Sequence, residues 1–365
     1  MGGLGKLEGG RVRVSLVVVT YFSSADLGLL AASFRREAAA GGWEPEVVVV
    51  DHSEDGEEAE RLAALEPDRL LVRPNRGYAA GVNLGMAAAR GEVLVVANPD
   101  VVFLPGSLEP LLGGLEEGFA VVGPRLVWDR AGRVDAPPAG DPSPGALLRE
   151  AAALRWRRCW ERWLPAYLES LVRVWRGSGT VEVPALRGSV MALRREDALR
   201  LGPLDEGYFL YYEETEWLLA ARRRGARLGL ATGAPVHHGW GRSTARLQNP
   251  AALEARSRRR FLRRNADVVT RLAITVLERK RWAGIGARPV AGPEDLAGRE
   301  AELWLLAPSP HLLPAFGIGG RAELPAEVAR AVSRGRWYLV EARRNGGRWS
   351  LGGAWSWGPG DHGRT

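Results

Sequence analysis

The feature that most constrains this chain is the run VRVSLVVV at residues 12–19, which ends at Thr20-Tyr21. A stretch dominated by β-branched side chains and apolar on both faces reads as a strand buried on both sides in a parallel sheet. Two more stretches share that character: Glu46 to Val50, ending at Asp51, and Glu92 to Ala97, ending at Asn98-Pro99-Asp100. A shorter strand at Arg69 to Val72 precedes Pro74, and Ala- and Leu-rich stretches near 24–40, 56–65 and 78–90 read as helices between the strands. This alternation predicts right-handed βαβ units and an α/β fold, a doubly wound and mostly parallel sheet flanked by helices. Ligands of such sheets bind beyond the C-terminal strand ends. Tyr21, Asp51 and Asp100 all stand at such ends, which makes one candidate site of three scattered residues.

The remainder of the chain carries a different pattern. Ala136 to Gly145 is rich in Pro and Gly and reads as a loop. Leu147 to Trp175 is basic and holds Trp156, Trp160, Trp163 and Trp175. Trp160, Leu164, Tyr167, Leu171 and Trp175 recur at helical spacing, with Pro165 expected to split the helix. A core-facing helix pair is the default for this segment. Arg beside Trp also suits an anionic membrane surface or a lipid acceptor. Strand character returns around Arg187-Gly188-Ser189 and at Leu228 to Ala231, which leads to His237-His238; residues 252–280 read as helical and strongly basic. Beyond about residue 285, short alternating runs such as Trp337 to Glu341 and Arg348 to Trp357, separated by Asn345-Gly346-Gly347, predict hairpins. With 365 residues, these patterns predict a domain over 1–280 with a Trp/Arg-rich insertion at about 145–176, then a small β-rich domain over 281–365 whose role the sequence leaves unassigned.

Composition excludes several classes. Gly and Pro show no period, against collagen-like or solenoid chains. The single cysteine, Cys159, excludes a disulfide framework and a Cys-rich zinc site. No apolar run approaches the ~18 residues that span a bilayer, and Met1 to Gly10 lacks the apolar core of a signal peptide. The expectation is a cytoplasmic protein, at most peripheral at the inner face of the membrane. The net charge is +7 and almost all of the basic side chains are Arg, with Lys only at 6 and 280. Arg suits anionic partners, although codon bias or a thermophilic source accounts for the same excess. Basic residues dispersed along the whole chain, without a recognised module, argue against nucleic acid. Asn occurs at six positions, three of which (Asn75, Asn83 and Asn98) fall in one short stretch, a cluster that suggests a specific task there.

Several local patterns can carry chemistry. Asp100, after an apolar strand, can give a hard divalent cation an oxygen ligand, while Asn98-Pro99-Asp100 in isolation would be an ordinary Asx-type turn. Asp51 opens Asp51-His52-Ser53-Glu54-Asp55-Gly56, either a nucleoside contact at the second strand end or an acidic turn that caps the next helix. Glycines at 77, 81 and 85 align on one helix face and allow close approach, without the tighter spacing of the dinucleotide fingerprint. Tyr211-Tyr212-Glu213-Glu214-Thr215-Glu216 sets carboxylates beside aromatics at a helix start. A carboxylate near an apolar wall can serve as a general base; favourable charge at a helix N-terminus is the simpler account. His237-His238 could supply a metal ligand or a phosphate contact, as well as a structural pair.

Taken in order, these pieces resemble the family-2 glycosyltransferases of the GT-A fold, in particular their rhamnosyltransferase-like branch. The matching residues are Val17-Val18-Val19-Thr20-Tyr21, Asp51 to Asp55, Asn75-Arg76-Gly77-Tyr78 through Gly85, Asn98-Pro99-Asp100, Arg187 to Met191, Tyr212 to Glu216 and His237-His238. The resemblance runs from about residue 12 to 265 and rests on seven loose motifs in the right order. It implies an inverting, metal-dependent glycosyltransferase (a hexosyltransferase) that takes its sugar from a dTDP-, UDP- or GDP-sugar. The acceptor implied is a glycan or lipid-linked hydroxyl in cell-wall or surface-polysaccharide synthesis, with peripheral membrane contact and a homodimer both compatible. Thr20, Tyr21, Asp51, Ser53, Asn75, Gly77, Asn83, Asn98, Arg187 and Gly188 would line the nucleotide-sugar site, with Asp51 on the nucleobase. Asp100 would hold Mg²⁺ or Mn²⁺ on the diphosphate, with His237 or His238 in reach. Glu214 falls where the family usually has the Asp base of a Glu-Asp pair, with Glu213 as fallback. Asn98 stands for the first Asp of the family's D-x-D motif, and Glu214 is one methylene longer than Asp. A nucleotidyltransferase is the rival enzyme, but Thr20 to Ser24 offers no Gly-rich basic loop. A carbohydrate- or lipid-binding protein that lost turnover is the rival outside catalysis, against which Asp51, Asp100 and Glu214 speak.

Overall fold

The computed structural model describes residues 11–239 and 249–358. The chain runs β1 (Arg13–Thr20), α1 (Ser24–Ala40), β2 (Glu44–Asp51), α2 (Gly56–Ala63), β3 (Arg69–Val72), α3 (Tyr78–Ala88), β4 (Val93–Ala97), β5 (Val101–Phe103), α4 (Leu108–Glu116), β6 (Val121–Val127) and β7 (Val134–Asp135). It continues through α5 (Pro144–Arg155), α6 (Arg157–Trp175), β8 (Thr180–Glu182), β9 (Val190–Arg194), α7 (Arg195–Leu201), α8 (Glu213–Arg223), β10 (Leu228–His238), α9 (Pro250–Asn265) and α10 (Val268–Glu278). The last elements are β11 (Arg288–Pro289), β12 (Glu300–Ala307), β13 (Phe316–Arg321), α11 (Ala326–Val332), β14 (Trp337–Asn345) and β15 (Arg348–Trp357). Two compact units form. Among the described residues the first holds 11–125, 139–142, 178–239 and 249–265; the second holds 126–138, 143–177 and 266–358.

In the first unit the strands run in the order β3-β2-β1-β4-β9-β6. The pairs β2–β3, β1–β2 and β1–β4 are parallel, and β9 joins β4 and β6 antiparallel. This is the expected α/β sheet, parallel where the apolar runs predict it. Val14 through Val19 are all buried, as a strand covered by helices on both faces requires. Strand β10 pairs with β5, β6 and β8. Helix α1 buries Leu27, Leu30, Ala31, Phe34 and Ala38, the three-and-four spacing of one face. Helix α3 lies so close to the sheet that a Cβ on Gly85 would fall 2.4 Å from Val17 Cγ1, and one on Gly81 2.7 Å from Val19 Cγ1. Close packing thus accounts for Gly81 and Gly85.

In the second unit the strands run in the order β11-β15-β14-β12-β13-β7. The expected hairpin is present: Asn345 pairs with Arg348 across Gly346 and Gly347, both at positive φ. Its core is aromatic, with the rings of Trp128 and Phe316 tilted at 34° with centroids 4.5 Å apart and Trp304 buried against Trp355. A single cut after residue 280 therefore does not describe how the chain divides, because the Trp-rich segment and 266–280 fall in one unit with the C-terminal strands.

Three local expectations change. Helix α6 runs unbroken through Pro165, held by the buried stripe Trp160, Leu164, Leu168, Leu171 and Trp175, and the chain breaks instead at Trp156. The helix expected over 252–280 is two, because Asp267 starts α10 by accepting the Thr270 N–H at 3.0 Å. Strand β10 runs past Ala231 to His238. Trp160 is buried, with its indole N–H on the His311 carbonyl, so it is core and not a lipid contact. No described helix is long and apolar enough to cross a membrane.

Candidate active site

The C-terminal ends of β1 and β2 meet at a buried carboxylate. Asp51 Oδ1 accepts from Thr20 Oγ1 (3.1 Å), the Ser53 N–H (3.1 Å) and Ser53 Oγ (2.6 Å), while Asp51 Oδ2 has no hydrogen-bond partner among the described residues. Ser53 Oγ also accepts the Phe22 N–H at 2.8 Å, which fixes the exposed Tyr21-Phe22 turn beside Asp51. A buried acceptor without a donor costs on the order of 1–3 kcal/mol and is retained where a ligand supplies the donor. The next loop hangs from Glu54, whose carboxylate accepts the Asn75 N–H at 2.9 Å, and Asn75 Oδ1 accepts the Gly77 N–H at 3.1 Å. Gly77, at φ 97°, lets Tyr78 N–H reach the Phe209 carbonyl at 2.8 Å; a Cβ there would lie 2.5 Å from that same oxygen.

Around Tyr78 the acids converge. Its hydroxyl donates to Asn98 Oδ1 at 3.1 Å. Burial, then the charges of Glu213, Glu214 and Asp100, push the phenol far above its ordinary range, so it stays a donor. Asn98 N–H donates to the Ser189 carbonyl at 2.9 Å, joining the Asn98-Pro99-Asp100 turn to Arg187-Gly188-Ser189. A Cβ on Gly188 would sit 2.8 Å from Glu214 Cγ; only glycine leaves Glu214 its place. Glu213 and Glu214 begin α8 directly after Tyr211 and Tyr212, both left-handed at φ 68° and 69°. Two such residues cost about 1–3 kcal/mol each, strain of the kind that gathers where a turn must aim side chains.

The two glutamates differ. Glu213 is buried, and burial followed by the charge of Glu214 raises its carboxyl well above the usual range. Glu214 is raised by burial as well, but its own and the Thr215 backbone amides, the Arg187 guanidinium and the Gly188 N–H pull it back. Both are raised, Glu213 further, and Glu214 is the one whose charged form nearby amides and the Arg187 guanidinium partly restore.

Strand β10 delivers the histidines. Its residues His238 and His237 lie opposite Val101 and Val102 of β5. Side chains alternate along a strand, so only one of the two faces the acids: His238 Nε2 lies 3.5 Å from the buried Asp100 Oδ1, and Gly239 N–H donates to the Asp100 carbonyl at 3.0 Å. Among the described residues no group of three or more His, Cys, Asp or Glu forms a ready metal cage. Residues 240–244, which follow in the same sequence motif, lie outside the described residues.

The expected residues thus fall into a Thr20-Asp51-Ser53 group, an Asn75-Gly77 loop and an Asn98-Asp100-Arg187-Gly188-Glu213-Glu214-His238 group centred on Tyr78. Asn83 is drawn elsewhere: its amide donates to the Leu204 carbonyl and Glu206, and accepts the Leu204 N–H. Tyr78 stands in the Gly77–Gly85 motif without a role assigned from sequence, and Glu54 likewise. The available signal was position: Tyr78 is the first helical residue after a glycine that leads out of a strand-end loop.

A sheet of this order, with Thr20, Asp51 and Asp100 at or just beyond the ends of β1, β2 and β4 and an acidic helix start beside them, is the α/β architecture of the GT-A glycosyltransferases. The chain belongs to glycosyltransferase family 2 and is a glycosyltransferase: residues 15–184 match the model of Glycosyl transferase family 2. It is 30% identical over 224 residues to the N-acetylglucosaminyl-diphospho-decaprenol L-rhamnosyltransferase of Mycobacterium tuberculosis, covering 55% of this chain and 67% of that one. It is 24% identical over 259 residues to a low-salt glycan biosynthesis hexosyltransferase of Haloferax volcanii, covering 69% of this chain and 76% of that one. A crystal structure of GalNAc-T7 with UDP, GalNAc and Mn²⁺ aligns at TM-score 0.49 and 16% identity, over 70% of this chain; the chain spans about half (48%) of that protein.

Proposed function

We propose that this chain transfers a sugar, with inversion, from a nucleotide-diphosphate donor to a hydroxyl of a glycan or lipid-linked acceptor in surface-polysaccharide synthesis. The observation that carries the reading is the convergence of Asp100, Glu213 and Glu214, from separate stretches of sequence, on the Tyr78 phenol. Asp51 Oδ2, buried and without a donor among the described residues, is suited to accept an N–H of the nucleobase. Asp100 and His238, with Nε2 3.5 Å from Oδ1, are the residues that would hold a divalent ion. Mg²⁺ or Mn²⁺ there supplies neutralisation of the charge that builds on the departing diphosphate.

Glu214 is then the base. It takes the proton of the acceptor hydroxyl as that oxygen bonds to the anomeric carbon from the face opposite the breaking bond to phosphate. The nucleoside diphosphate leaves with the bonding electrons. The name of the mycobacterial relative favours rhamnose and a polyprenyl-diphosphate-linked acceptor, so dTDP-rhamnose is the first donor to test, with UDP- and GDP-sugars next.

The test is turnover with each donor over a panel of glycan and lipid-linked acceptors, with the product's anomeric configuration read by NMR. The expected product has the configuration opposite to the donor. Glu214→Gln is expected to lower turnover by roughly 10²–10⁴-fold, the usual weight of a general base. A retained configuration, or a Glu214→Gln enzyme as fast as the parent, contradicts the assignment.

A further inference from the structure

Four apolar side chains of α10 stand in solvent: Val268 is 58% exposed, Val269 76%, Leu272 61% and Val276 56%. Their spacing places them on one helix face. Ile274, on the opposite side, is fully buried, and the helix packs on α5 within the second unit. Single exposed aliphatic residues need no explanation, but four on one face of an eleven-residue helix do. Arg279, which caps the helix, Lys280 and Arg281 follow directly at its C-terminal end. All three are exposed, and none is ion-paired with a described residue. The Trp282 N–H donates to the Leu154 carbonyl at 3.1 Å, which brings this run to the corner between α5 and α6. There Trp156 is 48% exposed, with the Arg155 guanidinium 5.9 Å from its ring centroid, and Arg157 and Arg158 are exposed beside it.

We infer that the α10 face, with the Arg279-Lys280-Arg281 run and the Trp156 corner, docks on an anionic lipid bilayer. A stripe of aliphatic side chains flanked by Arg, Lys and Trp matches the headgroup boundary, where the apolar groups enter and the cations meet anionic headgroups. A second copy of the chain is the weaker occupant. Stable dimers bury roughly 800 Å² and 20–30 residues per partner, far more than four aliphatic side chains offer, and a net charge of +7 opposes self-association. The inference does not depend on glycosyl transfer, since bilayer binding is scored without donor or acceptor.

The experiment is co-sedimentation of the full chain with phosphatidylcholine vesicles, with and without phosphatidylglycerol, across a salt series. Binding is expected only with the anionic lipid. Val269→Asp/Leu272→Asp should weaken it at least tenfold at every salt concentration; an Asp in the first turn suits the helix dipole, so an unchanged melting temperature excludes unfolding as the cause. Replacing Arg279, Lys280 and Arg281 by Gln should weaken binding at low salt on the order of a hundredfold, at about fivefold per cation, and flatten the salt dependence. No binding of the parent to anionic vesicles overturns the inference. So does binding that the Asp variant leaves intact, or a concentration-dependent dimer that the Asp variant abolishes.

Discussion

Gly188→Ala isolates the link between the β9 approach and the base. Gly188 is not among the positive-φ glycines, so alanine can adopt its backbone, and the change alone would stabilise the folded chain by about 0.4–1 kcal/mol through the unfolded state. The added methyl meets Glu214 Cγ at 2.8 Å, Cδ at 3.0 Å and Cβ at 3.3 Å. Ordinary contact begins at 3.4 Å, so the side chain of Glu214 must move by roughly half an ångström or more, and the carboxylate with it. Misplacement on the scale of 1 Å costs about 10²-fold in a reaction that depends on alignment, and half of that distance about tenfold. The expectation is therefore a kcat reduced by roughly tenfold to a hundredfold, or about 1.4–2.7 kcal/mol in barrier. Donor affinity and melting temperature should stay near those of the parent. Steady-state release of nucleoside diphosphate, calorimetric donor binding and a thermal melt measure the three quantities. An unchanged kcat in a folded Gly188→Ala enzyme refutes the placement of the base, and so does a loss carried entirely by donor affinity.

Two further substitutions test the electrostatics and the packing. Glu213 is raised in the folded chain, so the folded state holds a proton that the unfolded state releases above about pH 4.3. Its stability contribution is whole below that pH and falls as pH rises toward the raised value. Glu213→Gln should therefore be more stable than the parent by a margin that grows from pH 4 to 8 in chemical denaturation, and a margin that shrinks with pH would contradict the burial argument. Gly85→Ala forces a methyl to 2.4 Å from Val17 Cγ1 and 3.3 Å from Val50 Cγ2. It should lower unfolding stability by about 1–2 kcal/mol, the 1–3 kcal/mol of overpacking less the helix gain of alanine. An unchanged guanidinium midpoint would mean that α3 does not press on β1 as described.

How much of this was legible in the sequence follows from which interactions are local. The strands β1, β2 and β4 announce themselves because a strand buried on both faces must be apolar at every position, and their ends locate Thr20, Asp51 and Asp100 without further help. The choice between His237 and His238 was not legible, because the strand leading to them looks as if it ends at Ala231. Once β10 runs to His238, alternation selects His238. Pro165 looked like a helix breaker, yet the buried stripe on α6 outweighs one lost hydrogen bond. Tyr78 takes its importance from Phe209, Glu213 and Glu214, more than a hundred positions away, and Gly188 from Glu214 on another element, which no local pattern records. The exposed face of α10 was equally hidden, since Val-Val-Thr-Arg-Leu-Ala-Ile-Thr-Val-Leu is apolar nearly all round and only the packing on α5 shows which side is left bare.

The central claim is that donor binding and proton removal are carried by different acids, Asp100 with His238 for the first and Glu214 for the second. Calorimetric titration of the parent, Asp100→Ala and Glu214→Gln with dTDP-, UDP- and GDP-sugars, each with and without Mn²⁺, separates the two. The account predicts that one nucleotide family binds the parent only with the metal, that Asp100→Ala abolishes this binding, and that Glu214→Gln leaves it intact. Binding that ignores the metal, or that Glu214→Gln removes as completely as Asp100→Ala, would contradict it.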